Sequence, residues 1–389
     1  MIIKRWARCE AFNPTSSKQL LAYYAWKGYP IRKNRKTKRP TTNEEALEAT
    51  LSKIDDPLLR KALDARKLKR GGGDLKDTYL GADGRFHSNF TLEPDTGRLS
   101  SRAPNLQNVP NPDRAEKESI EERIALLIRS TIEADPGMVL MEFDWKAIEA
   151  LLTGWFADDP GYMRLSELDS HAFYTSHILA DRAILQEGFD ALDPDLEAKL
   201  AWLKKTYPLE RAEGKAANLA LGYGMQADHL AARLKIPRDR AARLIRIKDE
   251  MAPKVTAWKN ATQRRAHEEG KLVNPFGFCR SFFEVYRKTK YGELRPGREA
   301  NEALSFLPQS TGAAMLRTVL VDLDEEVDET GLAELLVPVH DSVLLQCRPE
   351  KVEDVKERVV RSMNRPWPEL NGLQVGVSVK MGLNWAEAA

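Results

Sequence analysis

The sequence predicts an α+β fold in which a sheet domain is interrupted by a long helical insertion. Three observations predict it. The apolar run "GMVLMEF" (137–143) has the length and composition of a buried strand. Mostly helical periodicity with charged faces follows from about 146 to 272. Then "AELLVPVHDSVLLQC" (333–347) reads as strand, tight turn, strand, and "LQVGVSVKMGLNW" (373–385) supplies a last strand.

The elements follow in order. Residues 12–80 read as helices broken by a basic loop, with Gly71, Gly72 and Gly73 as a flexible joint. Residues 81–110 are rich in turn formers. The strand at 138–143 is followed at once by Asp144. Helical spacing is clearest in "DRAARLIRIKDEMAPKVTAWKNATQRRAHEEG" (239–270), and residues 299–326 read as one long helix. No internal repeat is present.

Bulk properties exclude several classes. The 389 residues suggest two or three domains, and 42% hydrophobic content suffices for real cores. Mean hydropathy is −0.49, and no apolar run approaches a membrane span. The opening "MIIKRWARCEAF" has a basic start without an apolar stretch after it, so no secretory leader is expected. Cys9, Cys279 and Cys347 form no CxxC pair, which fits a reducing compartment. The six histidines lack zinc-ligand spacing. Net charge is only +2, but "KGYPIRKNRKTKRP" (27–40) holds seven Lys and Arg and no acid. "RKALDARKLKRGGG" (60–73) adds a second basic cluster. Each is a solvated face or a contact for a polyanion such as nucleic acid.

Two acids stand in like settings. Asp144 leaves the strand at 138–143, and Asp341 lies in the turn between two apolar strands. Burying a carboxylate is costly unless a cation or hydrogen bonds hold it. Asp144 therefore either caps the next helix or holds a metal, and Asp341 is either an ordinary turn aspartate or its partner. Two facing carboxylates suit two-metal phosphoryl transfer, with Mg²⁺ or Mn²⁺ as the hard cations. Between them, in "RAEGKAANLALGYGM" (211–225), Arg211, Lys215, Leu219 and Tyr223 recur every four residues. On a helix they form one slanting stripe. Its cations and ring suit a nucleoside triphosphate, or the stripe is a solvated face with Leu219 and Tyr223 packed inward.

Together these segments resemble family A DNA polymerases, the group of bacterial DNA polymerase I and several phage replicases. "FNPTSSKQL" (12–20) resembles the thumb motif, and "TGRLSSRAPNLQNVP" (96–110) is nearly the family's T-G-R-L-S-S-x-x-P-N-L-Q-N-I-P. "DWKAIE" matches motif A at Asp144, Ile148 and Glu149. Motif B matches at Arg211, Lys215, Asn218, Tyr223 and Gly224. "LPQSTGAA" (307–314), "VHDSV" (339–343) and "GLNW" (382–385) resemble the Q-S-x-G helix, motif C and the family's ending.

The resemblance implies a right hand. Its parts are a short helical thumb (1–80), an antiparallel-sheet palm (81–150 and 299–389) and helical fingers inserted in the palm (151–298). It implies that Asp144 and Asp341 bind two divalent cations, and that Lys215, Arg211 and His171 hold the dNTP triphosphate, with Lys215 as general acid. Glu149 would be the steric gate against ribose, and Leu219 and Tyr223 would line the nucleotide site. Arg98, Asn105, Gln107, Asn108, Gln309 and His340 would track primer and template. The basic loop with Lys33, Arg35 and Lys36 would meet duplex phosphates. Motif A usually reads D-Y-S-Q-I-E-L-R, whereas Trp145, Lys146, Ala147, Ala150 and Leu151 stand here. Leu219 replaces the usual aromatic, and Ser342 stands where Glu is frequent.

The expectation is therefore a template-directed DNA polymerase that adds dNTPs to a primer 3′-hydroxyl. Single-subunit RNA polymerase is one alternative, opposed by Glu149. A non-catalytic DNA-binding remnant is the other, opposed by the retained aspartates, Lys215 and Arg211. Only eleven residues precede Phe12. The expectation is thus no 3′–5′ exonuclease in this chain and a thumb short by a helix. A second polypeptide would then complete the thumb or supply exonuclease or processivity. No membrane partner is expected, and the location is the cytoplasm of a bacterial or phage-infected cell, or an organelle.

Overall fold

A computed structural model describes residues 12–34, 37–71, 80–112, 120–222, 226–234, 236–289 and 291–388. Helices α1 (Ser17–Lys27), α2 (Glu44–Leu51) and α3 (Pro57–Gly71) lead. Short strands β1 (Asn89–Thr91) and β2 (Ser100–Arg102), helix α4 (Ile120–Ser130) and strand β3 (Val139–Trp145) follow. The helical stretch holds α5 (Ile148–Phe156), α6 (Pro160–Leu165), α7 (Ser170–Asp181), α8 (Leu196–Thr206) and α9 (Pro208–Gly222). It continues through α10 (Ala227–Leu234), α11 (Arg238–Glu250) and α12 (Pro253–Glu269). Four three-residue strands come next, β4 (Lys271–Val273), β5 (Cys279–Ser281), β6 (Tyr286–Lys288) and β7 (Leu294–Pro296). The last elements are α13 (Ala300–Leu323), β8 (Glu334–Val339), β9 (Ser342–Cys347), α14 (Val352–Met363) and β10 (Val377–Gly382).

The α+β expectation and the strand–helices–strands order hold. Some elements were not foreseen. Helices α4 and α14 carried a legible signal, since Val352, Val355, Val359 and Met363 recur at helical spacing. Strands β4 to β7 are too short for any alternation to register. Gly71 is the last residue of α3, while Gly72 and Gly73 lie outside the described residues.

The chain forms two compact units. One takes in the described residues up to Phe90, Ser101–Met141 and those from Lys380 on. Its helical core joins Leu20, Tyr24, Leu47, Leu59 and Ala62. Asp56 ties α1 to α3, accepting hydrogen bonds from the Tyr23 and Tyr29 hydroxyls at 2.8 Å each. Burial pushes its carboxyl up, but those bonds and the Leu58 and Leu59 amides outweigh it, leaving a net shift downward. At the chain's end, the Arg129 guanidinium lies 4.3 Å from the Trp385 ring centre, a cation–π contact.

The other unit spans Thr91–Ser100 and Glu142–Val379. A four-stranded sheet runs in the order β10-β3-β9-β8. β8 and β9 are antiparallel, with Val339 opposite Ser342, so His340 and Asp341 form a two-residue turn. Such turns need a positive φ, and His340 supplies it at 56°. Tyr174, Ala217, Ala220, Leu230 and Leu244 bind α7, α9, α10 and α11 into one apolar cluster. Gly214 lets α9 lie close on α7: a Cβ there would fall 2.1 Å from Thr175 Oγ1.

Candidate active site

The end of β3 and the β8–β9 turn lie side by side, which brings Asp144 and Asp341 near one another along the backbone. Phe143 and Trp145 are buried on either side of the partly exposed Asp144, as the period of two along a strand requires. The Trp145 indole donates to the Met363 carbonyl at 3.0 Å, which anchors this end of β3. From the β9 side, the Trp145 N–H donates to the Asp341 carbonyl at 3.4 Å. From the β10 side, the Ser378 hydroxyl donates to the Asp144 carbonyl at 3.2 Å. These bonds set both residues at one end of the sheet. Beside them, Ser342 Oγ lies 3.3 Å from Glu142 Oε1. Where the family pattern frequently has Glu, this chain has serine, and that serine donates to the Glu142 carboxylate of β3. The sequence reading missed Glu142; its place two residues before Asp144, hence on the same face of β3, was the available signal.

Glu149 opens α5 and is held by Arg98, whose Nη2 lies 2.8 Å from Glu149 Oε1. Arg98 reaches it because the preceding Gly97 turns at φ 68° and its carbonyl accepts from Arg317 Nη1 of α13 at 3.1 Å. Gln309, partly exposed, also lies on α13.

A cavity of about 350 Å³ begins at Ala147 and Ala150 and extends to Asp169, His171, Arg211, Asn218 and Lys248. Arg211 and the exposed Lys215 stand one turn apart on α9. Arg211 makes a bidentate pair with Asp169, with Nη2 at 2.9 Å from both carboxylate oxygens. Asp169 also caps α7, accepting from the His171 and Ala172 amides at 3.1 and 2.9 Å. Burial raises its carboxyl, but the Ala172 amide and Arg211 outweigh that and leave it below the usual range. His171 is pushed down to about 4, by burial first and then by Arg211. Asp169, Asn218 and Lys248 received no role from the sequence. A capping aspartate before a helix was legible; its partner 42 residues on was not.

Other predicted residues belong to the first unit or lie outside the described residues. Asn105, Gln107 and Asn108 belong to the first unit, where the Gln107 amide donates to Ser101 Oγ at 3.0 Å. Lys33 is there too, in an antiparallel bridge with Pro40. Arg35, Lys36 and Tyr223 lie outside the described residues, and Leu219 is placed on α9 by its backbone alone.

Comparisons with known proteins place the sequence and the fold. The chain is similar to the thermostable DNA polymerase I of Thermus thermophilus, 29% identical over 92% of this chain and 40% of that protein. It is likewise 29% identical to DNA polymerase I of Pseudomonas aeruginosa, over 97% of this chain and 39% of that one. It thus spans about two fifths of the length of these relatives. Among solved structures, the POL domain of Pol1 from M. smegmatis, in complex with DNA primer-template and dNTP, shares the fold. The TM-score is 0.77 at 24% identity, with 100% of this chain and 63% of that one covered. The sequence profile of DNA polymerase family A matches from residue 2 to residue 387, and the chain belongs to that family.

Proposed function

We propose that this chain is a DNA-directed DNA polymerase that extends a primer on a template by nucleotidyl transfer from dNTPs. The observation that carries the reading is the Trp145–Asp341 backbone bond. It joins the end of β3, which carries Asp144, to the turn that carries Asp341, in the same unit as a cation-lined cavity. In this reading residues 1–80 act as thumb, 81–150 and 299–389 as palm, and 151–298 as fingers.

The donor set fits divalent cations. Among the described residues no three His, Cys, Asp or Glu side chains gather into a cage. Mg²⁺ rarely uses one; it binds through one or two carboxylates, with water and substrate phosphates completing the shell. Asp144 and Asp341 would hold the ions. When bound, two Mg²⁺ or Mn²⁺ ions supply charge neutralisation at the α-phosphate and favour the ionised primer 3′-oxygen.

The chain's own groups do the rest. The primer 3′-hydroxyl loses its proton to solvent water, its oxygen bonds to the α-phosphorus as the bond to the bridging oxygen breaks, and Lys215 gives a proton to the departing pyrophosphate. Arg211 exchanges part of its Asp169 pair for phosphate oxygens, and His171 donates to another. Glu149, held by Arg98, crowds C2′ of the sugar, while Leu219 and Tyr223 line the base side. Asn105, Gln107, Asn108, Gln309 and His340 contact primer and template. Lys33, Arg35 and Lys36 meet duplex phosphates.

Primer extension with Asp144→Ala and Asp341→Ala tests the reading. Losing a metal site costs several kcal/mol at the transition state, so extension should fall by about 10³-fold or more. DNA binding, measured by anisotropy, should stay within about twofold, because phosphate contacts carry it. Extension within tenfold of the parent overturns the assignment. A parallel arm with rNTPs separates DNA from RNA synthesis.

A further inference from the structure

Along the cavity wall, side chains from three helices form a run of hydrogen bonds that the proposed reaction leaves unexplained. The Lys248 ammonium on α11 donates to Asn218 Oδ1 on α9. The Asn218 amide nitrogen lies 3.0 Å from His171 Nδ1 and 3.4 Å from the Ser170 carbonyl, both on α7. Asn218 is only 7% exposed, so these protein groups are its partners.

What the neighbours can do sets the direction of every bond. A lysine ammonium donates and cannot accept; a backbone carbonyl accepts and cannot donate. The oxygen of Asn218 therefore faces Lys248, and its NH₂ faces Ser170. That same NH₂ donates to His171 Nδ1, which must then be the unprotonated ring nitrogen. Burial, with Arg211, Lys215 and Lys248 adding to it and Asp169 opposing, keeps His171 neutral at neutral pH. In a neutral imidazole with a bare Nδ1, the proton sits on Nε2.

Lys248 is held for this task. Its ammonium lies 5.6 Å from the Tyr174 ring centre. The Tyr174 hydroxyl donates to the Leu244 carbonyl at 2.7 Å, pinning α11 to α7. Burial and then Lys259 push Lys248 down to about 8, with Asp249 opposing. It remains a donor at neutral pH, so the sense of the run is preserved.

We propose that Lys248 is a positioning residue: through Asn218 it holds His171 as the Nε2–H tautomer, so that the ring offers a hydrogen-bond donor to a triphosphate oxygen in the cavity. The opposite tautomer would turn a lone pair toward that oxygen. The inference rests on reading this cavity as the triphosphate site.

The tautomer is measured by ¹⁵N NMR of the His171 ring in the free protein, assigned against His171→Gln. The parent should carry its proton on Nε2. Asn218→Asp puts an acceptor on both sides, keeps a partner for Lys248, and should move the proton to Nδ1. Lys248→Met should weaken the Nε2 preference, and Lys248→Arg, also donor-only, should retain it. In primer extension, Asn218→Asp and Lys248→Met should raise KM for dNTP by about tenfold with a much smaller change in kcat, and Lys248→Arg should restore it. A parent ring protonated on Nδ1, or a tautomer unmoved by Asn218→Asp, overturns the proposal whatever the kinetics. A tautomer that moves while KM stays constant upholds the relay and removes His171 from the triphosphate, which is a failure of the site reading.

Discussion

Arg98 and Glu149 form a partly exposed pair 51 residues apart in sequence. In the proposed gate role the Glu149 carboxylate would act through where it sits, and the Arg98 guanidinium limits where it can swing. Glu149→Ala should raise incorporation of rNTPs relative to dNTPs by about tenfold or more, the value of one steric contact in a pocket. Arg98→Ala should move the ratio the same way by less. An unchanged ratio in Glu149→Ala removes it from the gate. His171 makes a second prediction. Its folded value is about 4 against an ordinary 6.5. As pH falls, the unfolded chain takes the proton first, so stability is full above about 6.5 and is lost progressively toward about 4. Burial shifts His177 in the same direction. Urea midpoints should therefore fall between about pH 7 and pH 4.5, and the fall should be smaller in His171→Gln. Equal slopes in the two proteins would show that His171 does not stay neutral on folding.

Helices α7 and α9 carry the Arg211–Asp169 pair and His171, and their closeness rests on Gly214. A methyl group there would meet Thr175 Oγ1 at 2.1 Å, and that hydroxyl is already committed to the His171 carbonyl at 2.7 Å. Alanine favours a helix over glycine by about 1 kcal/mol, but overpacking a tight contact costs about 1–3 kcal/mol. The clash wins: Gly214→Ala should lower stability by about 1 kcal/mol, raise KM for dNTP, and recover both when combined with Thr175→Ala. Chemical denaturation and steady-state kinetics of the three variants decide it, and a Gly214→Ala chain as stable as the parent would refute the tight crossing. The β8–β9 hairpin is the contrasting case. Its two apolar runs around His-Asp were legible, because strand alternation and turn chemistry are local. The sequence could not say that the turn's aspartate carbonyl would accept from Trp145 on β3.

Across the whole molecule, charge is distributed by segment. In the first unit the basic stretch doubles back, with Lys33 bridged to Pro40 and the Asn34 amide donating to the Arg39 carbonyl at 2.8 Å. Cations brought together this way should contact phosphates without regard to sequence. Lys33→Ala should reduce the slope of log affinity against log salt by about 1, equally for unrelated duplexes; an unaltered slope takes Lys33 off the DNA. The expectations about the chain's front fall on residues 1–11, outside the described residues. Among the described residues no helix is long and apolar enough to cross a membrane. By itself, the sequence determined the α+β class, the strand ends bearing Asp144 and Asp341, the cationic helix with Arg211 and Lys215, and the family. Each is written in contiguous residues, where periodicity, turn formers and motif spacing act over one or two turns of chain. Only the tertiary structure decided that Arg211 pairs with Asp169, that Arg98 holds Glu149, and that Lys248 reaches His171 through Asn218. These partners are 42, 51, 30 and 47 residues apart. No local rule selects them, because each depends on how closely separate helices and strands can pack, down to a missing methyl group at Gly214.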